Sequence, residues 1–177
     1  MQALLNFEEY IVDDLSVRTN TDFKLRKGPG KPVEMRGQVK IQFDIKQRKG
    51  NDTAYMIPLT IEVNESQDHP ASSPYYVFVA IRGFFSFNKR EDPETTAKMI
   101  SLNGLSMLYG VARGIVGQAT AACPHGKFIL PSMNFVELLK RKASELAGDN
   151  ARPETPKDNS KTPARSRIKR QGDRKKQ

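Results

Sequence analysis

Residues 75–123 read YYVFVAIRGFFSFNKREDPETTAKMISLNGLSMLYGVARGIVGQATAAC, and the apolar pattern changes partway along. Up to Phe87 it has a period of two: Val77, Val79, Ile81, Phe85 and Phe87 share one face of a strand. Tyr76, Phe78, Ala80 and Phe84 make the other face apolar as well. A strand that is apolar on both sides calls for cover on both sides. One helix layer supplies one cover; the second needs a partner chain or a bound ligand. After Pro93-Glu94 the spacing becomes helical and stays so until Pro124. Met99, Leu102, Leu105, Leu108, Ala112, Ile115 and Ala119 form one stripe, and Ser106, Gly110, Gly114, Gly117 and Ala121 form a second one of small residues. Each interior glycine costs a helix about 1 kcal/mol relative to alanine. Small residues in helical register return that cost by letting another surface approach closely, so that weak dispersion contacts accumulate. The stripe is read as a packing surface, either against the chain's own sheet or against a helix of another subunit.

Upstream, Val39, Ile41, Phe43 and Ile45 alternate with polar residues, and so do Tyr55, Ile57, Leu59, Ile61 and Val63. A KGND turn at Lys49–Asp52 closes these two runs into a hairpin. Pro58 lacks a donor and predicts a bulge or an edge at that point. A first strand is expected around Glu9–Arg18, where Leu15 and Val17 alternate with polar residues. The Gly- and Pro-rich TDFKLRKGPGKP segment after it is too long for a tight hairpin and reads as a crossover loop. Downstream, Asn134 caps a last helix over roughly Phe135–Leu146. Strands first and helices last give an α+β fold: a four-stranded antiparallel sheet, a long helix and a shorter C-terminal helix.

The 177 residues suit one domain, yet the hydrophobic share is 37 % and the mean hydropathy −0.60. From Gly148 onward there are ten basic and four acidic residues, and Ile168 is the sole sizeable aliphatic. Such a segment cannot bury enough surface to offset its ordering entropy. The chain therefore divides into a folded domain over 1–147 and a disordered basic tail over 148–177. A lone cysteine, Cys123, excludes an internal disulfide and points to a reducing compartment. No signal-peptide pattern is visible, and Arg113 and Gln118 make the most apolar window a poor membrane span, so a cytoplasmic protein without membrane insertion is expected.

The block LYGVARGIVGQATAACPHGKFILPSMNFVELL is similar to the C-terminal half of the SecB family of bacterial protein-export chaperones. That family reads L-F-P-Y-A-R, a small-residue helix, then G-x-F-P-x-L-x-L-x-P-V-N-F. Leu108-Tyr109-Gly110-Val111-Ala112-Arg113 resembles the first motif, with Gly110 in place of its proline. Phe128 to Phe135 resembles the second, with the proline one position early. Asp14-Leu15-Ser16-Val17-Arg18 resembles D-I-S-F-E, and Gly83-Phe84-Phe85-Ser86 resembles G-I-F-S-I. The resemblance covers roughly residues 7–146. It implies a homotetramer built as a dimer of dimers, with the long helices, and so Ser106, Gly110, Gly114, Gly117 and Ala121, packed between dimers. It also implies an ATP-independent holdase that binds unfolded polypeptides, preproteins or an antitoxin, in apolar grooves. Arg18 stands where the motif has its glutamate, on the acidic surface used by members that dock the motor SecA, which argues against handover to that motor. SecB-like chains also occur beside toxin–antitoxin pairs, a role that a divergent basic member fits.

Client binding needs large, adaptable apolar side chains. The candidates are Phe23 and Leu25 in the crossover loop, Phe84 on the outer face of its strand, and Phe128, Leu130 and Met133 after the long helix. Each also has a reading as ordinary core, least so Phe23 and Leu25. In the tail, Arg165, Arg167, Lys169 and Arg170 offer a weak electrostatic contact to nucleic acid or another anion, but no aromatic is interleaved to stack on bases. A basic nucleic-acid-binding module is the alternative of a different class. No enzyme is expected. His125 lies too near Cys123 and too isolated for a nucleophile–base pair, the two do not make a metal site, and there is no GxxxxGK[ST] or GxGxxG loop and hence no expected cofactor.

Overall fold

A computed structural model describes residues 3–23, 39–64 and 74–149, with side chains as far as Ser144. Leu25 and the tail cations lie outside these residues. The elements are β1 (Leu5–Thr19), β2 (Val39–Phe43), β3 (Lys46–Arg48), β4 (Asn51–Val63), β5 (Tyr75–Phe87), α1 (Pro93–Met99), α2 (Leu105–Thr120) and α3 (Phe135–Asp149), with a π-helical turn at Ile100–Gly104 joining α1 to α2. The fold is α+β with an antiparallel sheet, as the patterning predicts.

All the pairings are antiparallel, in the order β1-β5-β4-β2, and β3 also pairs with β4. Phe43 stands opposite Leu59 and Lys46 opposite Met56, which is one continuous register. So β2 and β3 occupy a single lane, and the five strands fill four lanes. The gap at Asp44-Ile45 corrects the expectation for Pro58. β4 is an interior strand without a bulge there, and the interruption falls on its neighbour, where the amide of Asp44 donates to Pro58 O at 3.2 Å and Pro58 has no N–H to return.

β1 begins four residues earlier than its alternation suggests. Two register shifts, between Phe7 and Glu9 and between Val12 and Asp14, insert Glu8 and Asp13 as extra residues. Each such bulge resets the period of two, so the apolar residues Leu5, Phe7, Tyr10, Val12, Leu15 and Val17 keep the inner face although they are unevenly spaced.

The helices cover the inner face of the sheet. Asp92 caps α1, accepting from the Thr95 amide at 2.9 Å, with Pro93 at the first helical position. Ile100, Leu105, Leu108, Ala112 and Val116 bury against Ile57, Leu59, Val79, Ile81 and Phe85. Two glycines set the spacing. A Cβ at Gly83 would sit 2.9 Å from both Leu108 Cδ1 and Phe85 Cε2, and one at Gly104 would meet Ile100 Cδ1 at 3.0 Å and Ile57 Cδ1 at 3.1 Å. The π turn shifts the buried face, so Ile100 and Leu105 go to the core while Met99 and Leu102 are only half-buried. Among the described residues no second layer covers the outer face of the sheet.

Candidate polypeptide-binding surfaces

The inner side of the β2–β3 lane is only partly covered. Val39, Ile41, Phe43 and Ile45 stand opposite the buried Val63, Ile61, Leu59 and Ile57, yet each is only half-buried. α3 bridges this lane to α2. Asn134 caps it, Phe135 packs edge-on to Tyr109, and Lys142 Nζ sits 4.0 Å from the centre of the Phe43 ring while donating to Phe43 O at 2.5 Å. The alternating bonds of the β2–β4 ladder turn that carbonyl toward the free edge, so Lys142 seals the edge at its last paired residue. Beyond it a cleft of 580 Å³ opens between the hairpin and α1, with Ile45, Tyr55, Phe87 and Ile100 as its apolar floor and Lys89 and Arg90 on its rim.

A polar cluster closes the opposite end. The Tyr75 hydroxyl donates to Gly126 O at 2.8 Å and accepts from the His125 amide at 3.1 Å, and the His125 ring nitrogen lies 3.3 Å from Asn20 O. His125 thus ties the end of β1 to the start of β5, and burial raises the Tyr75 hydroxyl above its usual pKa. Phe23 does not stand free in solvent. It is half-buried with its ring edge-on to His125 at 5.3 Å.

The segment after α2 corrects two further expectations. Phe128 and Leu130 are core, not surface. The Phe128 amide donates to Thr120 Oγ1 at 2.8 Å, that hydroxyl donates to Val116 O at 2.7 Å, and Arg113 Nε holds Leu130 O at 2.9 Å. The Tyr109 hydroxyl donates to Pro131 O at 2.8 Å, and burial pushes its pKa up to about 12. The chain here is extended, so neighbours point opposite ways and Ile129, 52 % exposed, takes the outward place. Met133 is half-buried beside Ser106 in a second hollow of 620 Å³. Phe84 lies on the outer face opposite Met56 and Glu9, half-buried.

Small and apolar surface is left over elsewhere. Ser106, Gly110, Gly114 and Ala121 are exposed along α2, and a Cβ on Gly110 or Gly114 would meet nothing within 4 Å. Gly117 departs from this stripe: it is buried, with Lys127 Cε 3.0 Å and Phe128 O 3.7 Å from where its Cβ would be. On the inner face of β1, Tyr10, Val12 and Leu15 are 47 %, 38 % and 40 % exposed, although they pair with residues deep in the core. The bulges hid Tyr10 and Val12 from a reading by alternation, which picked out only Leu15 and Val17. The pairs Glu8-Glu9 and Asp13-Asp14 were the available signal.

The arrangement defines a class of protein: a half-covered antiparallel sheet whose folding leaves apolar strips exposed. A sequence model of the family described as preprotein translocase subunit SecB matches residues 2–145. The chain belongs to the SecB family. It is 26 % identical over 138 residues to an uncharacterized protein of Methanocaldococcus jannaschii, covering 78 % of this chain and 84 % of that one. It is 22 % identical over 134 residues to the protein-export protein SecB of Rhodospirillum centenum, covering 76 % of each. Among solved structures it resembles a SecB-like chaperone of Mycobacterium tuberculosis in complex with a ChAD peptide from the HigA1 antitoxin. That likeness has a TM-score of 0.54 at 10 % identity, covering 73 % of this chain and 91 % of that one.

Proposed function

We propose that this member of a chaperone family is an ATP-independent cytoplasmic holdase that keeps non-native polypeptides from aggregating. The observation that carries the reading is the apolar surface that folding leaves open: the inner side of the β2–β3 lane, the cleft at Ile45 and Tyr55, and the strip at Tyr10, Val12 and Leu15. Fully burying one such side chain is worth about 1.5–3 kcal/mol, so a few along an extended client give useful affinity without sequence selectivity. The same surplus supports a homotetramer. The long open edge of β1 suits pairing with a second copy, and the exposed Gly110–Gly114 stripe, whose cost finds no return within one protomer, suits packing of α2 against another helix. Leu25 stays a client-binding candidate by its sequence position.

The clients are preproteins in the first reading. The second, in which the client is an antitoxin, is favoured by the antitoxin peptide bound to the mycobacterial structure of the same fold. It is favoured also by Arg18, which sits on the outer face 5.5 Å over the Tyr76 ring where SecA-docking members have an acid. Light scattering tests the common core. Diluting a denatured client into an equimolar amount of this protein, without ATP, should suppress the rise in scattering, and removal of residues 148–177 should leave the suppression intact. Undiminished aggregation would sink the holdase reading. An antitoxin that loses solubility when this chain is absent would decide for the second client.

A further inference from the structure

The two bulges of β1 both fall on acidic pairs. An extra residue sets two consecutive side chains on one side of a sheet. Glu8 bonds Ser86 Oγ, Asp13 takes both nitrogens of Arg82 at 2.7 and 2.6 Å, and Glu9 and Asp14 stand opposite Phe84 and Ala80. All four carboxylates therefore lie on the uncovered outer face, with Glu62 in the same layer. Four cations share that face: Arg82 is engaged by Asp13, Lys40 by Glu62 at 3.2 Å and Arg18 over Tyr76, and Lys46 stands opposite Met56 on the far lane. In a chain of net charge +9, the outer face holds six carboxylates, Asp44 opposite Pro58 among them, against four cations, and Glu9 and Asp14 are exposed. A groove of 400 Å³ crosses it, lined by Asp14, Ser16, Arg18, Glu62, Tyr76 and Phe78.

One segment of the same chain matches this surface. Arg165-Ser166-Arg167-Ile168-Lys169-Arg170 sets one aliphatic side chain among four cations, and the groove sets two aromatic rings beside Asp14 and Glu62, with Arg18 over the Tyr76 ring. We propose that residues 165–170 lie across the outer face of their own protomer, with Ile168 on Tyr76 and Phe78 and the cations toward the exposed Glu9 and Asp14. The intervening residues 150–164 reach up to roughly 50 Å when extended, and adjacent lanes are about 4.8 Å apart, so the path from α3 around the sealed edge is short enough. As a contact between separate molecules this would be weak. Tethering supplies a local concentration on the order of millimolar, which makes it effective, and the exposed charges make it sensitive to salt. A partner for this face would have to displace the tail. The inference goes beyond the chaperone reading and does not depend on it.

Photocrosslinking of the full chain tests it. With p-benzoylphenylalanine in place of Ile168, irradiation at low salt should link the tail to peptides of β1 and β5. The yield should fall about tenfold when salt is raised to about 0.5 M, where the screening length is only a few ångströms. It should fall as far in the Glu9→Lys, Asp14→Lys double variant. It should also fall on Arg165→Gln, Arg167→Gln, Lys169→Gln and Arg170→Gln, which leave the folded part untouched should the strand variant fail to fold. In a mixture of heavy- and light-isotope copies the links should join like to like. Links to α3 or to β2 and β3, a yield indifferent to salt and charge, or links between heavy and light copies would each overturn the proposal.

Discussion

At one border of the sheet β1 runs for fifteen residues with no strand beyond it among the described residues, and its inner face shows Tyr10, Val12 and Leu15 to solvent. At the other border the lane is split into strands of five and three residues, Pro58 interrupts its ladder, and Lys142 reaches over from α3 to occupy the last free carbonyl. A bare, apolar edge is a template for pairing with another chain, and short strands, gaps and lysines are the usual means of blocking it. One border is guarded in three ways while its counterpart keeps greasy residues in reach. The contrast fits the proposed pairing of a second copy on β1 and on no other strand of the sheet.

Breaking the open border should have the largest effect. Val12→Lys with Leu15→Lys places two ammonium groups in the proposed seam, where each costs several kcal/mol to bury unpaired. Light scattering coupled to size exclusion should then report protomers of 19.9 kDa in place of the assembly. An unchanged mass would remove β1 from the interface. The glycines sharpen the comparison at intermediate size. Gly83→Ala drives a methyl into Leu108 and Phe85 and should lower stability to urea by about 1–3 kcal/mol through overpacking. Gly110→Ala with Gly114→Ala meets nothing inside the protomer, so on its own it should strengthen the helix by up to about 1 kcal/mol per site. If α2 packs on another helix, sedimentation equilibrium should show the assembly weakened all the same, and a purely stabilising outcome would confine the helix to the protomer. The smallest effect belongs to the guarded border. Lys142→Met removes a charged donor from Phe43 O and should cost about 1 kcal/mol in the urea midpoint, together with a concentration-dependent rise in particle size as the edge is exposed. An unaltered midpoint and size would mean that the gap at Asp44-Ile45 guards the edge alone.

The same contrast explains what could be read from the chain in advance. β4 and β5 have unbroken alternation, so their faces were legible residue by residue; Pro93-Glu94 marked the start of the long helix and Asn134 that of the last by its cap chemistry. β1 was legible only in its second half, because Glu8 and Asp13 each slip the period by one and make a continuous strand look like unrelated fragments. Phe128 and Leu130 were drawn to the surface by their size, whereas the decisive fact was tertiary: Thr120 and Arg113 hold their backbone against the helix and force Ile129 outward. Gly117 looked identical to Gly110 and Gly114 in spacing. Only the course of the chain after the helix puts Lys127 and Phe128 beside it and leaves the other two bare. The acidity of the outer face was masked by the net charge, which sums over a molecule what a docking partner meets one side at a time.

The turn at Ile100–Gly104 works like a set screw in the long helix. Five residues per hydrogen-bonded step instead of four leave everything after Gly104 rotated relative to the first two turns. Removing one residue from that turn would let the winding relax to the ordinary pitch. Because five π-helical residues turn about as far as four α-helical ones, the downstream half would keep its face; the same residues wound at ordinary pitch without the deletion would instead swing it by about 100°, the angle of one α-helical residue, carrying Gly110 and Gly114 away from where they point. The direction of the Gly110–Gly114 stripe, and with it the proposed packing of α2 on another helix, is therefore set by the winding of this one turn.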